Sequence, residues 1–353
     1  MFSDLPFVEH SSRFADGDQH DLEMVWSQTD LVEKQGIFGE LHMATQNRIN
    51  LFSMGLKRAK LAGVDIVRMF DGWFLDPWLK WRTKLSITRQ QLMYQSRPTD
   101  IFIVSYPKSG TTWMQMIVYQ LLTDGNMNIP HISSFIPHLE AGVSPERLAA
   151  RPDPRILKSH LPYRQIPKGN GKYIYLLRNG LDVAVSYYFH HRRYLIYRDS
   201  FEAFFGRFLS GAVASASWFD HVHDWLKNEQ KLDLLVMPFE ELASDFESSV
   251  VRVAEFCGVS LNDATRERIL DNCSFEFMRK HEDKLDVSRA SYEAHIDDSI
   301  RFMRKGQVGD SINYVSAAMR QEYLSKLWKS LSTGTLHTWP GLDPQHLPGV
   351  ECR

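Results

Sequence analysis

The chain has little cysteine. Cys257, Cys273 and Cys352 are the three in 353 residues. They are too few and too scattered for a disulfide framework or a zinc site, which makes a reducing, cytoplasmic setting the expectation. No uncharged run is long enough to span a bilayer. Residues Met1 to His20 carry Asp4, Glu9, Asp16 and Asp18 and lack the basic-then-apolar layout of a secretory signal. Neither sign of charge is in excess: 41 Lys and Arg against 43 Asp and Glu give a formal net charge of -2. Nothing global therefore draws the chain to nucleic acid, and any anion site has to be local. Internal repeats and low-complexity tracts are missing too. What remains is an ordinary globular composition, 43% hydrophobic and 24% charged, at a length that suits one large domain with a sizeable core.

Residues 1–96 read as an N-terminal helical region packed on or capping the core. It starts with an acidic lead to about Gln35 and has a helix expected over Leu41–Ala62. Within it, Val64–Leu85 sets Trp73, Trp78 and Trp81 among Arg68, Lys80, Arg82 and Lys84. That mix has two readings, contact with a membrane surface or packing on the core with snorkelling basic side chains. Residues 97–330 read as the main domain and 331–353 as a tail, with Arg97–Asp100 as the connector into the first strand.

The run Ile101-Phe102-Ile103-Val104 is short, β-branched and aromatic, as a strand buried on both faces should be. Further strands are expected at Arg155–Ser159, Lys172–Leu177 and Leu232–Met237. Helices are expected over Trp113–Leu122, from Leu181, over 239–256 and 262–272, and over Val315–Ser330. Strands alternating with helices predict an α/β fold with a central parallel sheet flanked by helices. Gly125–Pro154 is rich in Pro and His and has no period, which predicts a long loop or broken helices near a site.

Chemistry concentrates in four places. Ser105-Tyr106-Pro107-Lys108-Ser109-Gly110-Thr111-Thr112-Trp113 turns from strand into helix on small residues. The backbone N–H groups of Ser109 to Thr112 can then cradle an oxyanion at a helix N-terminus. In an ATP or GTP loop the lysine follows the glycine, whereas Lys108 precedes Gly110. The strand ends expected at Ser105, Ser159, Arg178 and Met237 offer no carboxylate for magnesium. The loop thus reads as a site for a donor neutralised by side chains, with no metal required. In Arg155-Ile156-Leu157-Lys158-Ser159-His160-Leu161-Pro162, alternation puts Lys158 and His160 on one side at a strand's carboxyl end, where ligands gather. His160 is the candidate general base. Arg178 at a strand end, Ser186 in the helix after it, and Arg304-Lys305-Gly306 in a Gly-bounded loop suit a second, separate phosphate. Taken alone, Arg-Lys-Gly reads better as a solvated surface turn than as a phosphate site.

In this order the motifs resemble the sulfotransferase family, in particular its soluble enzymes that use 3′-phosphoadenosine-5′-phosphosulfate (PAPS). The likeness runs from about Asp100 to Asp310. It implies a P-loop-containing nucleotide-binding fold, PAPS as donor and adenosine 3′,5′-bisphosphate (PAP) as product. It also implies in-line sulfuryl transfer to a hydroxyl or amine of a small, partly apolar acceptor. His160 would be the base, with Lys108 and Lys158 also catalytic. Lys108, Ser109, Gly110, Thr111 and Thr112 would hold the 5′ end, Trp113 would stack on adenine, and Arg178, Ser186, Arg304, Lys305 and Gly306 would hold the 3′ end. By the same likeness Ser186 restrains Lys108 until an acceptor arrives, and Ser274 and Phe275 lie against adenine. Cys273 stands where a threonine is usual, and Phe239 where a tyrosine is.

After Gly309-Asp310 the chain reads Ser311-Ile312-Asn313-Tyr314-Val315 in place of the family's dimer-contact stretch. The usual dimer motif is therefore not intact, and the oligomeric state stays open. Phe135, Tyr187, Tyr188, Phe189, His190 and His191 are candidates for an acceptor pocket, with burial in the core as the other reading. A P-loop kinase of related fold, or a non-catalytic nucleotide- or lipid-binding module, remains the alternative.

Overall fold

The computed structural model describes residues 94–339 and Leu342, apart from 124, 126, 142, 196, 287, 290–295 and 332. The expectations for residues 1–93, including the Leu41–Ala62 helix and the Trp-rich Val64–Leu85 stretch, lie outside the described residues, as does the tail from 343 on.

Strands β1 (Ile101–Ser105), β2 (Ile156–Ser159), β3 (Lys172–Leu177) and β4 (Asp233–Pro238) form one parallel sheet in the order β2-β1-β3-β4. The central strands β1 and β3 read as near-continuous apolar runs because both faces are covered, whereas the edge strand β2 ends on Lys158 and Ser159 and the edge strand β4 begins on Asp233. Ile101 and Ile103 join Ile174, Leu176 and Met237 on one face, beneath Met114, Ile117, Val250 and Val253. Phe102 and Val104 join Tyr173, Tyr175 and Leu177 on the other, beneath Leu181, Phe204, Trp218, Trp225 and Tyr323. The helices are those expected: Thr111–Leu122, Gly180–Tyr194, Asp263–Asn272 and Ala317–Ser330. Between the third and fourth strands lie Phe201–Ser210 and Trp218–Leu226.

One expected helix is two. The 239–256 pattern breaks at Asp245, whose backbone leaves the helical region at φ -136° and ψ 71° and whose carboxylate accepts the Ser248 N–H. A short acidic side chain competes with the helix for its own N–H groups, so Phe239–Ser244 ends and Phe246–Cys257 begins there. Residues 125–154 are the broken helices of the sequence reading, with helices at Ile132–Phe135 and Pro145–Ala149 and a 3₁₀ turn at Leu139–Ala141. No helix among the described residues is long and apolar enough to cross a membrane.

At the amino end of the sheet, Asp100 is fully buried and takes both prongs of the buried Arg155 at 2.6 and 2.7 Å, with Tyr94 and the Arg97 N–H as further donors. Asp100→Ala leaves a guanidinium buried without its counter-charge. The expected loss is about 3–5 kcal/mol of folding stability, read from the denaturant midpoint. A change below about 0.5 kcal/mol would contradict this account of the pair.

The carboxyl end of the sheet is where the topology opens a crevice. From β1 the chain goes to β2 on one side, then returns to β3 on the other, and ligands collect at such a switch point.

Candidate active site

The loop leaving β1 turns on two left-handed residues, Lys108 at φ 73° and Gly110 at φ 97°. Glycine adopts this freely, lysine at a cost. Gly110 is also held close: a Cβ there would lie 2.7 Å from Phe239 Cδ2. The helix Thr111–Leu122 that follows has no side-chain cap. Gly110, Thr111 and Thr112 line a cleft of about 780 Å³, so its first N–H groups are open donors at a positive helix end. Ser109 Oγ is enclosed in the loop without a hydrogen-bond partner. The Thr111 hydroxyl lies 2.6 Å from Ser105 Oγ. Such uncapped donors and a small-residue cradle fit a phosphate-bearing ligand.

Lys108, Lys158 and His160 line the same cleft. Burial, then the nearby Lys158, Arg178 and Arg304, draw the Lys108 ammonium down to about 8 against the pull of Asp286. Burial draws Lys158 to about 8 as well, with Glu140 opposing. His160 Nδ1 lies 2.9 Å from the Ser105 carbonyl. A carbonyl only accepts, so Nδ1 carries the proton and the lone pair sits on Nε2. Burial, Lys158 and His138 hold the imidazole well below its usual pKa, which keeps it neutral. Glu140 fixes the backbone beneath it, accepting the His160 N–H at 2.5 Å while its other oxygen meets His138 Nε2 at 3.4 Å. Burial raises the Glu140 carboxyl, but His138 and the N–H bonds outweigh it and leave it below the usual range.

Arg178 ties the two ligand loops together. Its guanidinium donates to the Lys108 carbonyl at 3.2 Å and to the Gln307 carbonyl at 3.0 Å, lies 4.1 Å from the Phe239 ring centroid, and keeps Nε enclosed without a partner. Asp182 takes the N–H groups of Gly309 and Ser311 at 2.7 and 2.9 Å, pinning the Arg304-Lys305-Gly306 loop to the helix Gly180–Tyr194. Arg304 and Lys305 both pair with Asp310, and Arg304 lies on the Phe189 ring. Ser186 lines the same cleft as Arg304 and Lys305.

An apolar slot adjoins this cationic end. Trp113 donates Nε1–H to the Cys273 carbonyl and meets Phe239 edge-on, while Phe275 packs against Gly306, where a Cβ would lie 2.4 Å from its Cδ2. Trp113, Phe239, Cys273, Phe275 and Gly306 all line the cleft. Ser274 turns its hydroxyl to its own helix, accepting the Phe277 N–H as an N-cap. A family profile described as a sulfotransferase domain matches residues 98–330.

The chain belongs to the sulfotransferase family. It is 38% identical over 259 residues to Sulfotransferase 1B1 of Mus musculus, spanning 69% of this chain and 86% of that one. It is 35% identical over 259 residues to Sulfotransferase 1C2 of Oryctolagus cuniculus, spanning 68% and 86%. Among solved structures, mouse sulfotransferase SULT7A1 complexed with PAP matches with a TM-score of 0.58 and 29% identity, over 70% of this chain and 90% of that one. The sheet and its carboxyl-end cleft are thus the P-loop-containing nucleotide-binding fold of a PAPS-dependent sulfotransferase.

Several residues of this sulfotransferase's cleft were not singled out from sequence. Glu140 and His138 sit in the segment read only as a loop near a site, and no periodicity marked them. His221 lines the cleft with its Nδ1 3.1 Å from the Tyr175 hydroxyl, and burial draws it to about 4. Of the pocket candidates, Tyr187 and His190 line the cleft. Tyr188 and His191 are buried, Phe189 carries Arg304, and Phe135 packs on Tyr119 at 4.9 Å.

Proposed function

We propose that this sulfotransferase transfers the sulfuryl group of PAPS, in line, to a hydroxyl or amine of a small, partly apolar acceptor in a cytoplasmic setting. When bound, the donor supplies an activated sulfuryl group with PAP as the leaving portion. The residues that would hold it are the open N–H groups of 109–112 and Lys108 at the 5′ end, Arg178, Ser186, Arg304 and Lys305 at the 3′ phosphate, and Trp113, Phe239 and Phe275 about the adenine. His160 Nε2 takes the acceptor proton, and the ammonium groups of Lys108 and Lys158 stabilise charge that grows during transfer. The observation that carries this reading is the Nδ1 contact of His160 with the Ser105 carbonyl, which leaves a neutral imidazole base in the same cleft as two lysines.

The test is a screen of phenols, alcohols and amines with sulfate-labelled PAPS, run beside ATP with magnesium. Label transfer from PAPS with no ATP consumption is expected; the reverse pattern would sink the proposal.

The pH profile follows from the same groups. The reaction needs His160 neutral and the lysines protonated. His160 is depressed, so the acid limb of kcat/KM for the donor should fall below 6.5, the free imidazole value. Lys108 and Lys158 lose their protons near 8, so the alkaline limb should fall there in the free enzyme. An anionic donor stabilises the ammonium forms, so the alkaline limb of kcat should move higher. Coincident alkaline limbs for the two parameters would contradict the assignment to the lysines.

A further inference from the structure

Beyond the phosphate loops the cleft has a polar feature that the transfer chemistry leaves unused. His190 follows Ser186 on the helix Gly180–Tyr194 and lines the cleft. Its Nδ1 is enclosed without a hydrogen-bond partner. Its Nε2 is not among the enclosed atoms and bonds to nothing in the described protein, so that nitrogen faces the cleft. A buried N–H without an acceptor is rarer than a buried bare acceptor, which favours the tautomer with the proton on Nε2. Burial, Lys108 and His191 hold the ring well below its usual pKa, in the neutral form that the tautomer argument requires. The Tyr187 hydroxyl, 3.0 Å from Ser215 Oγ, stands on the same wall, with its ring centroid 6.0 Å from that of His190. Leu195, Ala214 and Ala216 add apolar surface to the same cleft, alongside the polar Ser215, Ser217 and Asp220.

We infer that His190 is a specificity-determining residue whose Nε2–H selects acceptors carrying, beside the hydroxyl that is sulfated, a second oxygen that accepts a hydrogen bond. The class is diols, hydroxy-ethers and hydroxy-ketones of alcohol or phenol type. The inference rests on the transferase reading above and names its substrate class. An apolar acceptor would leave the His190 N–H desolvated and unpaired, a loss that a pocket cannot recover by shape alone.

The experiment uses acceptor pairs matched in shape and differing in one oxygen. These are 2-, 3- and 4-methoxyphenol against the corresponding ethylphenols, and 4-methoxybutan-1-ol against hexan-1-ol. Each is measured by calorimetric binding to the full-length enzyme saturated with PAP, and by kcat/KM with PAPS where turnover occurs. The wild type should favour the oxygenated member of at least one pair by about 10-fold or more. His190→Phe should bring that ratio close to one, while His190→Gln, which keeps a donor, should restore part of it. A wild-type ratio at or below one in every pair, or a ratio unchanged in His190→Phe, overturns the inference. PAP titration of each variant separates this from misfolding. Failure of the wild type to bind PAP or move sulfate from PAPS to any acceptor falls instead on the transferase reading.

Discussion

His160→Ala is expected to cut sulfuryl transfer by about 10²–10⁴-fold, the range for a lost general base, while PAP binds as before. The prediction follows from how the ring is held. The Ser105 carbonyl fixes the proton on Nδ1, and Glu140 fixes the backbone through the His160 N–H. Neither contact touches the uncapped N–H groups of 110–112 or Arg178, so donor binding has no reason to change. Single-turnover transfer and PAP titration measured on one preparation decide it. Undiminished turnover would remove His160 as the base, whereas a parallel loss of PAP affinity would make it a structural support of the loop. His160→Gln is the useful companion, because an amide can keep a contact to Ser105 but is no base.

Arg178→Ala should weaken PAP binding by about 10²–10³-fold, more than any other single change at the nucleotide site. Charge-assisted hydrogen bonds contribute about 1.5–3 kcal/mol each. The guanidinium already spans the Lys108 and Gln307 carbonyls and, in the proposal, adds the 3′ phosphate. The variant therefore loses both the anion contact and the registry of the two loops. Comparing PAP with AMP separates these effects. AMP lacks the 3′ phosphate and should lose only the part due to loop registry. Arg304→Ala should weaken PAP selectively, since its guanidinium pairs with Asp310 and rests on Phe189 rather than tying the loops. Equal losses for PAP and AMP in both variants would refute a second phosphate site.

Much of this was legible in the sequence because it depends on local order. The central strands β1 and β3 are apolar runs bounded by turns, and the inverted order of Lys108 and Gly110 distinguishes the loop from an ATP loop within a few residues. What was not legible depends on contacts between distant segments. Glu140 acquires its role only because the 3₁₀ turn Leu139–Ala141 lies against β2, twenty positions before the N–H that it receives. Asp310 was read only as the end of a motif, yet it neutralises both cations of that motif. The break at Asp245 and the cap at Ser274 are decided by single side chains competing for N–H groups, which a hydrophobic period does not report.

The backbone of Lys108 has a consequence for anyone selecting variants of this protein. An L-residue in the left-handed region gives up about 1–2 kcal/mol that glycine does not. A screen that rewards only thermal tolerance will drift toward Lys108→Gly, and its winners will be sturdier proteins without the ammonium that the proposed chemistry uses. Sturdiness and turnover therefore pull this one position in opposite directions, and a library meant to improve the enzyme should hold residue 108 fixed.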